Sequence, residues 1–239
     1  MEYDTKILTD GCESLGITLS DRQIEQFLIY YEYLTEKNRV MNLTGITEFS
    51  EVMVKHFLDS LAVVKVSDLN VTEKILDLGT GAGFPGIPLK IAFPNPEFLL
   101  LDSLNKRIRF LQELIEKCRL EKISAIHGRA EELAKNKDYR ENFDLCVSRA
   151  VANLSSLSEY CLPYVKVGGN FVSYKSGNID IELKEAERAV KLLGGVVEKV
   201  EKFQLPGSEI DRSLIVIHKV RKTPGKYPRK SGTPSKEPL

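Results

Sequence analysis

Residues 75–87 read I-L-D-L-G-T-G-A-G-F-P-G-I. Four glycines, Gly79, Gly81, Gly83 and Gly86, follow a short apolar run that carries one carboxylate, Asp77. Glycine tolerates positive φ and lets a ligand approach the backbone. A buried strand, a glycine turn and an apolar helical stretch over 87–93 form the opening of a nucleotide-binding βαβ unit. Two chemistries share that opening. Gly81, Gly83 and Gly86 fit G-x-G-x-x-G, which would place a dinucleotide pyrophosphate at the helix N-terminus. Asp77 beside the turn would repel a pyrophosphate. Phe84 and Pro85 fill the turn where a phosphate needs bare N–H groups, and Pro85 has none. A turn without any ligand is the plain alternative, but a turn alone seldom needs so many glycines.

A cofactor with an ammonium, a sulfonium and an adenosine, but no phosphate, suits these residues better. S-adenosylmethionine has that chemistry, and the order D-x-G-x-G-x-G resembles the first motif of Rossmann-like methyltransferases. In an open α/β sheet, ligands bind outside the carboxyl ends of the strands. Gly79, Gly81 and Gly83 are therefore expected under the methionine part, with Asp77 orienting that loop or the ammonium. Asp102 closes the next apolar run, 23 residues beyond Gly79, where a carboxylate typically takes a ribose diol. Asp102 would also serve as an N-cap. Ala130 and Glu131 follow the third strand, where an adenine edge is expected, although Glu131 also suits the first turn of a helix.

Arg149 follows the fourth strand directly, beside the place where a methyl group must be delivered. A structural arginine at a strand end is the alternative. Methyltransferases acting on exocyclic amines often carry Asn/Asp-Pro-Pro-Phe/Tyr here, and those acting on cytosine carbon need a cysteine. This chain has Ser148-Arg149-Ala150-Val151, which fits neither. A ring nitrogen with a free lone pair would fit, and guanine N7 is such an acceptor. It needs no deprotonation, so the protein mainly supplies alignment.

The elements that must position these residues alternate from residue 74 onward. Strands are expected at 74–78, 97–101, 123–127, 143–148, 170–174, 196–203 and 212–220. Helices are expected from 87 to Phe93-Pro94 and at 105–118, 154–164 and 181–193. Only residues 204–211 separate the last two strands, so these must pair antiparallel, because a parallel return needs a crossover. The expected fold is α/β: a mostly parallel seven-stranded sheet that ends in an antiparallel hairpin, the methyltransferase variant of the Rossmann-like class. Residues 1–66 precede the sheet as a helical extension. Ser20 and Gln23 fit a capping box, and Ile24, Phe27, Leu28, Tyr31 and Leu34 follow at helical spacing. The helix breaks over 38–44, and another starts near Ser50. His56 and Asn42 are the polar residues to watch there, although a lone histidine on such a helix is usually a packing residue.

The chain has 239 residues, enough for one domain and an appendage, and 42% apolar content supports a core. Its 34 basic and 34 acidic residues balance, but residues 218–239 hold seven Lys/Arg and one acid. A basic tail on an acidic body suggests a polyanionic partner. Residues 222–239, rich in Pro, Gly, Lys and Arg, read as an extended tail, either solubilising or contacting phosphate. Cys12, Cys118, Cys146 and Cys161 form no C-x-x-C pair and read as reduced core residues, so no metal is expected. No apolar run would span a bilayer and no secretory signal is evident, so the cytoplasm is the expected location. Nothing demands an oligomer, and a monomer is expected.

Several segments resemble one family: N-L-T-G-I at 42–46, K-H-F-L-D-S at 55–60, D-L-G-T-G-A-G-F-P-G at 77–86, G-R-A-E at 128–131, S-R-A at 148–150, L-P-G at 205–207, and the tail Y-P-R-K-S-G-T-P-S-K-E-P-L. The chain is similar to the bacterial 16S ribosomal RNA guanine-N7 methyltransferases, the glucose-inhibited division protein B family, over nearly its whole length. The resemblance implies S-adenosylmethionine as cofactor and one guanine of the small subunit's RNA as target. It implies cofactor contacts from Gly79, Phe84, Ala130, Glu131 and Arg149, and RNA- or guanine-facing roles for Arg129, Lys175 and Arg212. Arg149 and Lys175 are then expected nearest the chemistry, and the tail's Arg229 and Lys230 on phosphates. A small-molecule methyltransferase, a non-catalytic RNA-binding assembly factor and, more remotely, a nicotinamide oxidoreductase are the competing readings.

Overall fold

A computed structural model describes residues 3–150, 152–177 and 179–239. The chain opens with two helices, α1 (Lys6–Ser14) and α2 (Asp21–Met41). Ser20 and Gln23 form the expected capping box on α2, each side chain meeting the other's backbone N–H. Asn42 ends the helix at φ 50, a left-handed conformation that asparagine tolerates. A longer helical run follows. It comprises α3 (Phe49–Val52), a π-helical stretch (Met53–Leu58), α4 (Asp59–Leu61) and a 3₁₀ turn (Ala62–Lys65). The Glu48 side chain accepts from the Glu51 amide, so this run starts within a residue of the expected Ser50.

The alternating part then runs β1 (Lys74–Leu78), α5 (Gly86–Ala92), β2 (Glu97–Asp102), α6 (Asn105–Lys117), β3 (Ile123–His127), α7 (Ala130–Leu133), β4 (Phe143–Ser148) and α8 (Leu154–Cys161). It continues through β5 (Val165–Lys175), α9 (Asp180–Leu192), β6 (Gly195–Gln204), β7 (Asp211–Lys219) and α10 (Thr233–Lys236). The strands form one seven-stranded sheet in the order β3-β2-β1-β4-β5-β7-β6. β1 to β5 pair in parallel, and β7 enters antiparallel between β5 and β6. The hairpin is the expected one, with the last strand placed inside the sheet. The strand order reverses between β1 and β4, which opens a crevice at their carboxyl ends.

Two regions differ from the sequence reading. β5 begins at Val165, five residues before the expected start, because Gly168-Gly169 is a bulge and not a turn. Its pairing with β4 shifts from Phe143↔Val165 to Leu145↔Asn170. The tail is also no free, extended arm. Tyr227, Pro228 and Pro234 are buried, and the short helix α10 lies against α8.

Alternate residues of the strands feed two apolar layers, as period-2 geometry requires. Ile75, Phe98 and Leu100 face the layer shared with α2, α5 and α6, and Leu76, Leu99 and Leu101 face the layer with α8 and α9. Three polar side chains of α2 tie the N-terminal helices to the first layer. Gln23 donates to the Ile91 and Ala92 carbonyls at the end of α5, Gln26 to Cys118 O, and the Tyr30 hydroxyl to Ala82 O at 2.6 Å. The four cysteines are free and buried.

Candidate active site

A cleft of about 670 Å³ lies over the carboxyl ends of β1 to β4. Its floor is the turn after β1, where Gly79, Thr80, Gly81, Ala82 and Phe84 line it. Gly81 has φ +61, and a Cβ there would point into open space, so its backbone is bare toward the cleft. Gly83 has φ +105 but faces away. A Cβ would meet Ile87 at 2.7 Å, the Tyr30 hydroxyl at 2.9 Å and Leu111 at 3.0 Å. Gly83 therefore lets α2 and α6 close on the back of the turn and does not line the cleft, a correction to its expected place under the ligand.

Asp77 is also behind the wall. It is fully buried, and its Oδ2 accepts from Thr80 Oγ1 at 2.6 Å and Gly86 N at 2.8 Å. Of its two expected tasks, the structure shows the orientation of the loop. Oδ1 has no hydrogen-bond partner among the described residues. Burial pushes this carboxyl up to about 7, opposed by the two donors and by the Arg149 charge.

Asp102 and Glu131 do line the cleft. Asp102 Oδ2 accepts from Gly81 N at 2.9 Å and from Arg107 at 3.2 Å, and Oδ1 accepts from Leu104 N at 2.9 Å. One carboxylate thus fixes both the glycine turn and the chain leading into α6, but it is not the N-cap: Leu104 holds that position, with no side chain capping the helix. Glu131, in the first turn of α7, accepts from Gly232 N at 2.7 Å. Ala130 lines the same end, its carbonyl bound by the Tyr164 hydroxyl. Arg129 is exposed on the rim.

Arg149 forms the opposite wall and is almost wholly committed. Nη1 donates to His56 O at 3.1 Å and Ser60 Oγ at 3.0 Å, and Nη2 donates to Lys55 O at 3.0 Å and pairs with Asp59 Oδ2 at 2.9 Å. Its guanidinium lies 5.6 Å from the Phe84 ring centre. Phe84 in turn stacks on His56 at 4.4 Å and Tyr30 at 5.3 Å. His56 bonds Thr44 Oγ1 through Nε2 at 2.8 Å, and burial and Arg149 lower its pKa to about 4, so the ring is neutral. Phe84 and His56 line the cleft, and Asn42 stands outside as the exposed cap of α2.

A second cavity, about 500 Å³, adjoins the first and shares Arg149, Ala150 and Ala152 with it. Lys175 and Arg212 join Arg149 there, around the buried Asp59. Arg212 Nε meets Asp59 Oδ1 at 3.0 Å, and Lys175 Nζ meets Glu182 Oε1 and Ala152 O, each at 2.7 Å. The sheet thus brings together three cations that lie far apart in the chain. Arg229 is elsewhere. Its guanidinium grips the fully buried Glu159, with Nη2 2.7 Å from Oε2, where the sequence reading had it on a free, extended tail. Lys230 is exposed beside it.

The sequence reading missed Asp59, Ser60 and Thr44 as site residues, although they sit in the K-H-F-L-D-S and N-L-T-G-I segments. The signal was a polar side chain inside an otherwise apolar helical run. It also missed Tyr160, Gly232 and Ser235, which line the cleft together with Ala130 and Glu131. Among the described residues no cluster of three His, Cys, Asp or Glu is arranged for a metal, and no helix is long and apolar enough to cross a membrane.

The residues present fit S-adenosylmethionine. The bare Gly81 backbone leaves room for a ligand, acceptors stand at Asp102 and Glu131, apolar surface comes from Leu78, Leu101 and Leu157, and no lysine lines the cleft among the described residues.

The comparisons agree. The mostly parallel fold with an antiparallel end is shared with the Methanococcus jannaschii fibrillarin pre-rRNA processing protein, at TM-score 0.51 and 16% identity over 67% of this chain and 74% of that one. It is also shared with the YcgJ protein of Bacillus subtilis, at TM-score 0.52 and 11% identity over 70% of this chain and 100% of that one. These show the fold, a Rossmann-like α/β sheet. The ribosomal RNA small subunit methyltransferase G of Lachnoclostridium phytofermentans is 55% identical over 99% of this chain and 98% of that protein. That of Acetivibrio thermocellus is 50% identical over 98% and 96%. Residues 23–215 match the GidB family, described as rRNA small subunit methyltransferase G. The chain belongs to that family of S-adenosylmethionine-dependent rRNA methyltransferases.

Proposed function

We propose that the protein transfers a methyl group to N7 of one guanine in 16S ribosomal RNA. One observation carries the reading. A cleft lined by a bare glycine turn and two strand-end carboxylates adjoins a pocket of three cations, and both share Arg149. In this reading Gly79, Gly81 and Phe84 flank the methionine part, Asp102 takes the ribose diol, and Ala130 and Glu131 meet the adenine. Asp77 acts through the loop. S-adenosylmethionine supplies, when bound, a methyl group already activated on a sulfonium.

The protein's own task is alignment. The N7 lone pair would form the new bond to the methyl carbon as the carbon–sulfur bond breaks and its electron pair goes to sulfur, with S-adenosylhomocysteine leaving and the positive charge passing to the base; no proton leaves the ring in that step, so no general base is required. His56 is neutral and held by Thr44, which suits a packing wall better than a proton shuttle. The guanine sits in the cationic pocket, where Lys175 or Arg212 donates to its acceptors. Each cation there already has a carboxylate partner, which limits repulsion of the cationic methylated base. Flipping a base from its loop costs roughly a few kcal/mol, and phosphate contacts by exposed Arg129 and Lys230 offset part of it. The division into an N-terminal helical extension (1–66), a methyltransferase body (67–221) and a tail (222–239), action as a monomer, and a cytoplasmic location belong to the same proposal.

The test uses cofactor labelled in its methyl group, with small subunits or their RNA from cells lacking the activity. Label on N7 of a single guanine, located by mass spectrometry, is the expected result. Label on another atom, or none while the cofactor binds, overturns it.

A further inference from the structure

The tail does not behave as a basic tail should. Arg229 donates to Glu159 through its backbone N–H at 2.8 Å, through Nε at 3.0 and 3.1 Å and through Nη2 at 2.7 Å. Glu159 is fully buried in α8. A buried carboxylate needs such a partner, and removing the partner leaves an uncompensated charge. The chain then turns across the cleft. Ser231 Oγ reaches Glu132 at 3.0 Å, Gly232 N donates to Glu131 at 2.7 Å, and Ser156 Oγ fastens the Pro234 carbonyl at 2.6 Å. Gly232 and Ser235 line the cleft beside Tyr160. The start of the segment is pinned as well. Arg140 donates to the Thr223 and Tyr227 carbonyls, and the buried Lys219 ammonium donates to Thr223 Oγ1 at 2.8 Å.

We propose that residues 227–236 are a strap that completes the cofactor cleft, with the Gly232 amide acting as a positioning group that holds the Glu131 carboxylate toward the adenine. The inference rests on the cofactor reading of the cleft and replaces the phosphate-binding role for Arg229. It has a second consequence. Strap and cofactor share Glu131, so each favours the other by linkage, and a bound cofactor holds the strap down.

The experiment measures S-adenosylhomocysteine binding by calorimetry for the full chain, Arg229→Gln, a chain ending at Lys230, and Lys222→Ala. The shortened chain keeps the Arg229–Glu159 pair, hence the fold, while losing Gly232 and Ser235. Both Arg229→Gln and the shortened chain should bind at least tenfold more weakly, with Lys222→Ala, an exposed charge of the same tail, within twofold of the full chain. In turnover assays the shortened chain should raise the KM for S-adenosylmethionine and leave kcat at saturation unchanged, a split that general loosening would not give. Trypsin should cut at Lys230 more slowly in the presence of S-adenosylhomocysteine. Unchanged affinity in the shortened chain overturns the strap, and it decides the matter even if Arg229→Gln fails to fold. Failure of the full chain to bind S-adenosylhomocysteine would instead overturn the cofactor reading.

Discussion

The two cavities that meet at Arg149 are built by different means. The cofactor-side cleft is mostly backbone and carboxylate. Its floor is a single turn held by Asp77 and Asp102, which lie within about one βαβ unit of each other. The neighbouring pocket is made of long side chains from four distant places, Asp59, Arg149, Lys175 and Arg212, locked by ion pairs. The first is rigid because hydrogen bonds to the backbone leave it no alternative. The second is rigid only while its charges balance. A mutation in the first should alter cofactor affinity alone, and one in the second should alter RNA chemistry alone. Arg149, belonging to both, should alter everything.

The largest effect is therefore expected for Arg149→Ala. It removes four polar contacts to the helical run of residues 55–60 and leaves Asp59, which is 3% exposed, with one partner instead of two. Methyl transfer should fall at least a hundredfold, and urea unfolding should show a loss of roughly 3 kcal/mol. Arg149→Lys should not restore it, since a lysine cannot span that fork of acceptors. If Arg149→Ala kept its cofactor affinity and lost only RNA turnover, the shared wall would belong to one cavity.

Lys175→Met and Arg212→Met come next. Each should lower kcat/KM for RNA by tenfold to a hundredfold and leave S-adenosylhomocysteine affinity within about twofold, a loss of about 1.4–2.7 kcal/mol in transition-state stabilisation. Asp102→Asn should show the mirror image, with cofactor affinity down about tenfold and RNA affinity unchanged. Crossed results would show that the two cavities do not divide the work.

A pH experiment sharpens the comparison. Asp77 has its folded pKa raised to about 7 from the ordinary carboxylate value of 3.8. The folded state then holds a proton that the unfolded chain has released, so this group's contribution is full below about 4 and is lost as pH rises through about 7. Free of ligand, the protein should lose a few kcal/mol across that window relative to Asp77→Asn, measured by urea unfolding at pH 4.5 and 8. Equal slopes for the two proteins would mean that Asp77 is not buried as the fold shows. The smallest effect belongs to Lys230→Ala, which should weaken RNA binding less than threefold and flatten its salt dependence by about one phosphate contact.

The fold was readable because its signals are local. β1 and β3 fell on their expected residues, since alternating apolar side chains report a strand directly. The β5 start did not, because Gly168-Gly169 announces a turn, and only the pairing partner β4 can turn that pair into a bulge. The cleft divides in the same way. Gly81 and Asp102 were legible from their place at strand ends. Gly83 was not, since whether a glycine faces a ligand or a packed helix depends on what lies behind it, here Tyr30 and Leu111.

The sequence alone determined the βαβ register, the antiparallel end, the glycine turn and the strand-end residues, because each depends on neighbours a few positions away. Only the tertiary structure decided where the long cations go. Arg149 finds its acceptors 93 residues earlier at His56, Arg212 finds Asp59 at 153, and Arg229 finds Glu159 at 70. A charge written in the sequence does not say whether it meets solvent, phosphate or a buried carboxylate. Desolvation makes that choice, and it operates only once the chain has closed around it.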